Sequence, residues 1–327
     1  MTGNEVFDYK QELKINNIIE QNPDKPYLTG YRYFIDNSSN TTIYNYIRHV
    51  ISFMNFCNKE AEKLILDDYT GYLFSIKTTT ASNQIVVYAA LKKFSSYLSA
   101  SQKNLADPMQ HVARPKYKEN QETKEKRNIG YLDKKEIKKY LDTVNKGIGS
   151  SKAVNRQKDW KERDLAIVLI FLNTGIRCSA LCSLDVDNID MEKKQLIATD
   201  KGDKVQEYDL SDEIINHINK WLIKRSKILG NSKEKALFIS NRKTRLNNIS
   251  VYNIVNKYAE NIKGKHITPH KLRATYGTQL YEATRDLFLV QECMGHNSPK
   301  TTELYIRGQK GENRKKASLI MANLTTN

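Results

Sequence analysis

The sequence predicts a mainly α-helical protein with one small β-sheet, divided into two domains. Apolar residues recur at helical spacing through the first 105 residues and again after residue 131. One pair of strand-like runs flanks the turn at Lys201–Lys204, and a polar stretch without periodicity separates the two helical regions. The 327 residues also fit two domains, since one core typically serves about 100–200 residues. We therefore expect a helical domain over 1–113, a basic linker over 114–130 and an α+β domain over 131–327.

Three amphipathic helices are predicted in the first domain. The first follows Thr41-Thr42, which we expect to cap it, and continues to about Cys57. The second covers about Leu66 to Ile76, and the third follows Ser82-Asn83. Their polar faces carry lysine, arginine, serine and asparagine side chains. Two interpretations of these faces stay open: simple solvation, or contact with the backbone of DNA.

The second domain is predicted to contain more helices and the small sheet. Its first helix would be capped by Asp133 and would reach about Val144. The remaining predicted elements are helix Asp159–Asn173, a turn at Gly175, a short helix from Arg177, two strands within QLIATDKGDKVQEYDL (195–210), helix Ser211–Leu229, a short strand over 236–240, and helices Ile249–Ile262, Pro269–Glu282 and Asp286–Met294.

The charge balance narrows the range of partners. A net charge of +16 favours a polyanion, either nucleic acid or an anionic membrane surface. A membrane span needs roughly 18 apolar residues, and the longest apolar run is only Leu165–Leu172. The first residues, MTGNEVFDYKQELK, lack the basic-then-apolar order of a signal peptide. We expect a cytoplasmic protein that faces nucleic acid and has no membrane contact, with a basic linker that can follow a phosphate backbone.

The four cysteines are too few for a disulfide framework in so long a chain. Cys178 and Cys182 stand four residues apart, which allows a metal or redox pair. No second pair and no histidine cluster at ligand spacing accompanies them, so we interpret all four as buried small hydrophobes. No metal and no cofactor is expected.

Four segments of the second domain form an ordered set. They are Thr174-Gly175-Ile176-Arg177, His270-Lys271-Leu272-Arg273, Gly295-His296, and Tyr305 at the end of TTELY (301–305). With a lysine in the predicted hairpin between the first two, this order resembles the tyrosine recombinase (phage integrase) family. The resemblance covers about Leu165 to Arg307, and the N-terminal half looks like that family's core-binding domain. It implies a two-domain DNA clamp with a catalytic domain over 131–327 that ends in a tail helix.

The resemblance also implies a role for each candidate residue. Tyr305 would be the nucleophile, and Arg177 and Arg273 would hold the non-bridging phosphate oxygens. His270 would be the base, Lys201 the general acid that protonates the departing 5′-oxygen, and His296 a hydrogen-bond donor to the phosphate. The chemistry suits these residue types, because a planar guanidinium stays charged and binds phosphate in bidentate fashion. Lys204 lies in the same turn as Lys201 and remains an alternative acid.

The expected reaction cuts and rejoins DNA through a 3′-phosphotyrosyl intermediate and a Holliday junction. By resemblance, the partners are double-stranded DNA with inverted repeats and further copies of the chain, assembled as a tetramer. Residues 315–324 would form a tail helix that docks either on its own domain or, as we prefer, on a neighbouring protomer. Two other functions stay open: a type IB topoisomerase-like enzyme and a catalytically silent DNA-binding protein. One departure from the family pattern is Ala180, where an acidic residue is common.

Overall fold

A computed structural model describes residues 3–101, 106–116, 130–200, 204–262 and 266–295. The chain divides into two compact units, residues 3–120 and residues 121–327. Within the described residues the architecture is mainly helical with one small sheet, which confirms the predicted fold class. None of the described helices is both long enough and apolar enough to cross a membrane.

The first unit is a helical domain. Its helices are α1 (Gly3–Glu20), α2 (Tyr27–Phe34), α3 (Asn40–Cys57), α4 (Leu66–Ser75) and α5 (Ala81–Ser101), with a short 3-10 turn at Ala61–Lys63. Helices α1 and α2 add to the three that the sequence pattern predicts. Helix α3 lies at the centre of the core, and its buried face carries Ile43, Ile47, Val50 and Phe53. Aromatic rings complete this core, with the Phe53 ring centroid 4.7 Å from that of Tyr69.

The start of α3 differs from the prediction. The helix begins at Asn40, and Ser39 occupies the N-cap position with extended backbone angles. Thr41 and Thr42 therefore lie inside the first turn instead of capping it. The Ser39 and Thr42 hydroxyls are 3.0 Å apart. A threonine pair and a preceding serine are chemically similar caps, so the sequence pattern alone places the boundary two or three residues late.

The second unit packs its helices around α8. The helices are α6 (Lys134–Lys146), α7 (Ser151–Lys158), α8 (Lys161–Thr174), α9 (Cys178–Ser183), α10 (Asp212–Leu229), α11 (Asn248–Lys257), α12 (Pro269–Thr284) and α13 (Leu287–Cys293). Every residue from Leu165 to Phe171 is buried. Helices α6, α10 and α12 pack against α8, which explains why its apolar residues follow no single face. Asp133 caps α6 through a capping box with Glu136, as its position predicts.

The sheet has three antiparallel strands in the order β1 (Ile189–Asp190), β2 (Gln195–Asp200) and β3 (Lys204–Asp209). The hairpin of β2 and β3 is the one that the sequence predicts, with Asp200 opposite Lys204. Strand β1 is absent from the predicted elements, since two residues carry too little pattern.

The predicted strand over 236–240 is wrong. Ala236 pairs with Asp185, and Ile239 pairs with Arg245, each as an isolated bridge. The segment is apolar because Ala236, Leu237, Phe238 and Ile239 are all buried. Its backbone bonds go to two different neighbours, so no continuous ladder forms over these described residues. An apolar run of five residues cannot by itself distinguish a buried strand from a buried irregular segment.

Candidate active site

Helix α8 ends in a tight turn that directs Arg177. Gly175 follows the helix in the left-handed conformation with φ of 60°. The Thr174 hydroxyl accepts a hydrogen bond from the backbone N–H of Ile176 at 3.2 Å. A β-carbon at Gly175 would overlap the ring of Tyr276, so both the backbone angle and the space require glycine. The turn leaves Arg177 at the N-cap position of α9.

Arg177 is held by a buried carboxylate. Its Nη1 donates to Oδ2 of Asp200, the last residue of β2, and forms an ion pair with it. Its Nη2 makes a longer contact, 3.4 Å, with the carbonyl oxygen of Gly295. The Asp200 side chain is only 6% exposed, whereas the Arg177 side chain remains 37% exposed. Asp200 therefore anchors the guanidinium, while part of the Arg177 side chain remains accessible to solvent.

Arg273 lies almost fully inside the domain. It is 4% exposed, on the second turn of α12. One terminal nitrogen donates to the carbonyl of Gly175 and the other to the carbonyl of Met294 at 2.6 Å. The two arginines thus reach adjacent carbonyls at the end of α13, those of Met294 and Gly295. Three of the segments that the sequence singled out meet at this place.

The hairpin is fastened to the same end of α13. Gln206 on β3 donates from Nε2 to the carbonyl oxygen of Cys293 at 2.9 Å. Gly295 has φ of 58°, and a β-carbon there would run into the Gln206 amide. A glycine is needed at this position for the close approach of the hairpin. The contact fixes the strand pair that leads into Lys201 against the segment that leads into His296.

Two tyrosines lie close to the arginines, Tyr208, which is buried, and Tyr276, which is half-buried. Burial raises the pKa of Tyr208, while the positive charges of Arg273 and Arg177 partly oppose that rise. Burial also raises the pKa of Tyr276, and the neighbouring Cys293 adds to the effect. Both phenols therefore stay protonated at neutral pH and can act as hydrogen-bond donors. Neither is placed as an exposed nucleophile.

The arrangement is suited to binding and polarising a phosphate. Two guanidinium groups and one carboxylate leave an excess of positive charge, and rigid elements hold all three side chains. Pre-oriented positive groups stabilise the charge that develops in a transition state better than mobile ones do.

Comparison with known proteins decides the family. The model of the phage integrase family matches residues 130–312, which is more than half of the chain. The chain belongs to the phage integrase family. This confirms the resemblance that the order of arginine, histidine and tyrosine motifs predicts.

Individual relatives of this integrase-family chain carry recombinase names. Tyrosine recombinase XerS of Streptococcus sanguinis is 30% identical over 273 residues, which cover 77% of this chain and 76% of XerS. Tyrosine recombinase XerC of Alcanivorax borkumensis is 36% identical over 144 residues, 44% of this chain. That match spans about half, 47%, of the XerC chain. These relatives belong to the predicted function class, the tyrosine-type site-specific DNA recombinases.

A solved structure has the same fold over almost the whole length. The XerH site-specific recombinase, in a post-cleavage complex with a palindromic difH substrate, gives a TM-score of 0.70 at 21% identity. The alignment covers 96% of this chain and 90% of that one. At this level of identity the likeness concerns the fold.

Three of the six predicted site residues lie in the described part of the chain. Arg177 and Arg273 converge as described above. His270 is exposed in the first turn of α12, one turn before Arg273, where Thr268 caps the helix through the backbone N–H of Lys271. Lys201, His296, Tyr305 and the predicted tail helix over 315–324 lie outside the described residues. The alternative acid, Lys204, is the first residue of β3 and is exposed.

Sequence reasoning missed Asp200, Gln206 and Tyr208. For Asp200 a usable signal exists. Alternate residues of β2 are buried, namely Leu196, Ala198 and Asp200, so the strand pattern places a carboxylate on the buried face. A buried carboxylate needs a cationic partner, and this requirement points toward a nearby arginine. No comparable signal marks Gln206 or Tyr208, whose roles depend on how the hairpin packs.

The cysteines form no recognisable metal site in the described part of the chain. There, no group of three or more His, Cys, Asp or Glu side chains could hold a metal ion. The prediction that all four are buried is wrong, since each is half-buried. Cys178 and Cys182 nevertheless pack against the apolar core of the second unit. A hydrogen bond with the Cys178 thiol, together with burial, raises the pKa of Cys182, which keeps it protonated.

Proposed function

We propose that this chain cuts and rejoins DNA at specific sites, with Tyr305 as nucleophile and a 3′-phosphotyrosyl intermediate. The observation that supports this most is the convergence of Arg177 and Arg273 at the end of α13. That end leads directly into His296, and the Asp200 end of β2 leads directly into Lys201. Chain continuity therefore makes the segments that bear Lys201 and His296 start beside the two arginines.

Cleavage is a single transesterification. The phenolic oxygen of Tyr305 bonds to the scissile phosphorus while the bond from phosphorus to the 5′-oxygen breaks. A free tyrosine has a pKa of about 10, so the attack needs a base. His270 takes the phenolic proton, and Lys201 gives a proton to the departing 5′-oxygen. The products are a 3′-phosphotyrosyl ester and a free 5′-hydroxyl.

The arginines stabilise the charge of the five-coordinate transition state. Arg177, anchored on Asp200 and partly exposed, offers its open side to one non-bridging oxygen. The buried Arg273 adds positive potential at the phosphate from inside the domain. His296 donates a hydrogen bond to the phosphate. Charge developing at the transition state is stabilised more strongly than charge in the ground state, which accelerates the step.

Rejoining reverses the same reaction on a new strand. The 5′-hydroxyl of the partner strand attacks the phosphotyrosine, and Tyr305 leaves and regains its proton. The covalent ester conserves the energy of the broken bond, so neither ATP nor a metal is required by this scheme. Exchange of one pair of strands gives a Holliday junction, and exchange of the second pair resolves it.

The proposed partners follow from the same reaction. We propose that residues 1–113 form a core-binding domain, 114–130 a basic linker and 131–327 the catalytic domain. The substrate is double-stranded DNA with inverted repeats, on which four copies assemble, with the tail helix over 315–324 exchanged between protomers. The charge of +16 supports a DNA partner. The place of action is the cytoplasm, on DNA.

A nicked suicide substrate tests the reaction. The probe is a library of duplexes with randomised inverted repeats, nicked one nucleotide from the spacer edge so that the cleaved fragment diffuses away. Wild-type protein should accumulate a covalent adduct that survives denaturing electrophoresis and is enriched in one repeat sequence. Tyr305→Phe should form none, while Tyr33→Phe, at an exposed position in the first unit, should match wild type.

The other outcomes separate the remaining functions. Sequence-selective binding without any adduct would show a silent DNA-binding protein. Adducts without sequence enrichment, together with relaxation of supercoiled plasmid by the protein, would show a topoisomerase-like enzyme. An adduct that persists in Tyr305→Phe would contradict the assignment of Tyr305 as the nucleophile.

A further inference from the structure

The contact between Arg177 and Asp200 has a geometry that a surface ion pair lacks. The carboxylate is buried at the end of β2, in phase with the core residues Leu196 and Ala198. A buried carboxylate is costly unless it is paired, so Asp200 holds its partner firmly. The partner keeps 37% of its side chain exposed. The rigid member of the pair is therefore the acid, and the arginine is the group being held.

We propose that Asp200 is the positioning residue for Arg177 and sets the direction in which its guanidinium meets the scissile phosphate. This inference rests on the proposed recombinase function. Position 180, in the first turn of the adjacent helix α9, is a buried alanine and supplies no carboxylate. In this chain the strand end provides the acid that α9 does not supply at that position.

The pair also joins two parts of the proposed site. Asp200 immediately precedes Lys201 in the chain, so the ion pair ties the strand end that bears the proposed acid to the proposed phosphate clamp. Gln206 fastens the other strand of the same hairpin to Cys293. With both contacts formed, the hairpin cannot shift without moving Arg177. A displacement of about 1 Å in a positioning group can cost on the order of 100-fold in rate.

The test is Asp200→Asn, which keeps the side-chain size and removes the charge. Single-turnover cleavage of the nicked suicide substrate should fall roughly 10–100-fold, while non-covalent affinity for the intact duplex stays within about threefold. The matched control is Asp209→Asn, at the other end of the same strand pair, where an exposed carboxylate accepts a hydrogen bond from Gln195. That variant should cleave at the wild-type rate.

A double-mutant cycle separates positioning from a general structural effect. In the Arg177→Lys background, Asp200→Asn should change the residual cleavage rate by less than about twofold, because the guanidinium that Asp200 positions is already absent. Asp200→Glu keeps the carboxylate and should retain more activity than Asp200→Asn. Thermal unfolding of all variants shows whether any loss reflects folding.

Several results would overturn the inference. Losses that multiply in the double mutant would show that Asp200 acts through another group, such as Lys201. Equal losses in Asp200→Glu and Asp200→Asn would show that shape matters instead of charge. Faster cleavage in Asp200→Asn would show that the carboxylate competes with the scissile phosphate for Arg177. If wild type forms no Tyr305-dependent adduct, the proposed function fails as well; an adduct unaffected by Asp200→Asn removes this inference alone.

Discussion

Gly175 connects the end of the central helix to the candidate site. It adopts φ of 60°, packs against the ring of Tyr276, and offers its carbonyl to Arg273. Two residues later the chain reaches Arg177. A change at Gly175 therefore affects both proposed phosphate-binding arginines through one short turn.

We predict that Gly175→Ala lowers the free energy of unfolding by about 2–5 kcal/mol. The left-handed backbone costs an alanine about 1–2 kcal/mol, and overlap with the Tyr276 ring adds roughly 1–3 kcal/mol. Chemical denaturation followed by circular dichroism measures this loss. Cleavage should fall as well, since the Arg177 turn is displaced.

The control for the backbone contribution is Arg285→Gly. Arg285 ends α12 with φ of 58°, nearly the same conformation as Gly175, and already carries a side chain. Glycine there should stabilise the protein by no more than about 1 kcal/mol. A loss in Gly175→Ala no larger than this gain would show that the Tyr276 overlap is unimportant.

At the scale of single residues, the sequence predicts those functional residues that stand in recognisable motifs along the chain. Arg177, His270 and Arg273 follow from motifs, and the structure places both arginines at one site. Asp200, Gln206 and Tyr208 take part because the hairpin packs against α9 and is bonded to the end of α13, tertiary contacts that no local pattern encodes. Alternation in β2 is the only partial clue, and it concerns Asp200 alone.

Among the elements of the second unit, α8 carries a buried charge cluster at its first turn. Asp164 is fully buried and accepts hydrogen bonds from Arg163, from Nζ of Lys257 at 2.9 Å and from the hydroxyl of Tyr258 at 2.7 Å. These bonds tie α8 to the end of α11 and to the 3-10 turn Tyr258–Asn261 that follows it. The cluster anchors the first turn of the central helix, whose other end leads into Gly175 and the site.

We predict that Asp164→Ala lowers the free energy of unfolding by about 3–5 kcal/mol, because it leaves Arg163 buried without its carboxylate. Glu162→Ala is the matched control. It removes another acid from the first turn of the same helix, but one whose pair with Lys224 is partly exposed, so its loss should stay below about 1 kcal/mol. Urea denaturation measures the loss in free energy of unfolding for both variants. Equal losses would show that the buried cluster has no special importance.

Elements with strong periodicity or clear caps are well predicted from the sequence, and weakly patterned ones are not. The capping box at Asp133 and the β2–β3 hairpin are found where the sequence places them. The strand predicted over 236–240 is wrong because the segment is apolar owing to its burial and not to strand pairing. Strand β1 is not predicted because it has only two residues, and their pairing with β2 depends on the tertiary fold.

Across the whole molecule, the positive charge separates into two proposed tasks. A few groups, Arg177 and Arg273 among the described residues, are assigned to one reacting phosphate. The remaining excess of the +16 is available to hold the duplex. Between Arg114 and Lys139 the sequence has ten basic and five acidic residues, a local concentration of that excess.

We predict that neutralising the linker weakens the salt dependence of DNA binding. Replacing Lys124, Lys126 and Arg127 by glutamine should reduce the slope of log K against log salt by about 0.9 for each phosphate that the linker no longer neutralises. Fluorescence anisotropy over a salt series measures the slope. Arg177→Ala is the contrasting variant: it should abolish cleavage and change the slope by no more than about 0.9, the value for a single phosphate. An unchanged slope in the linker variant would place the binding charge elsewhere.

The central claim is that one tyrosine carries the DNA strand, and mass spectrometry of the adduct tests it most directly. Wild-type protein trapped on the suicide substrate is digested with nuclease and protease, and the modified peptide is sequenced. We expect a single nucleotide-bearing residue, Tyr305, joined through a 3′-phosphate. A modified tyrosine elsewhere among the nineteen of the chain, or a 5′-phosphate linkage, would contradict the proposed reaction.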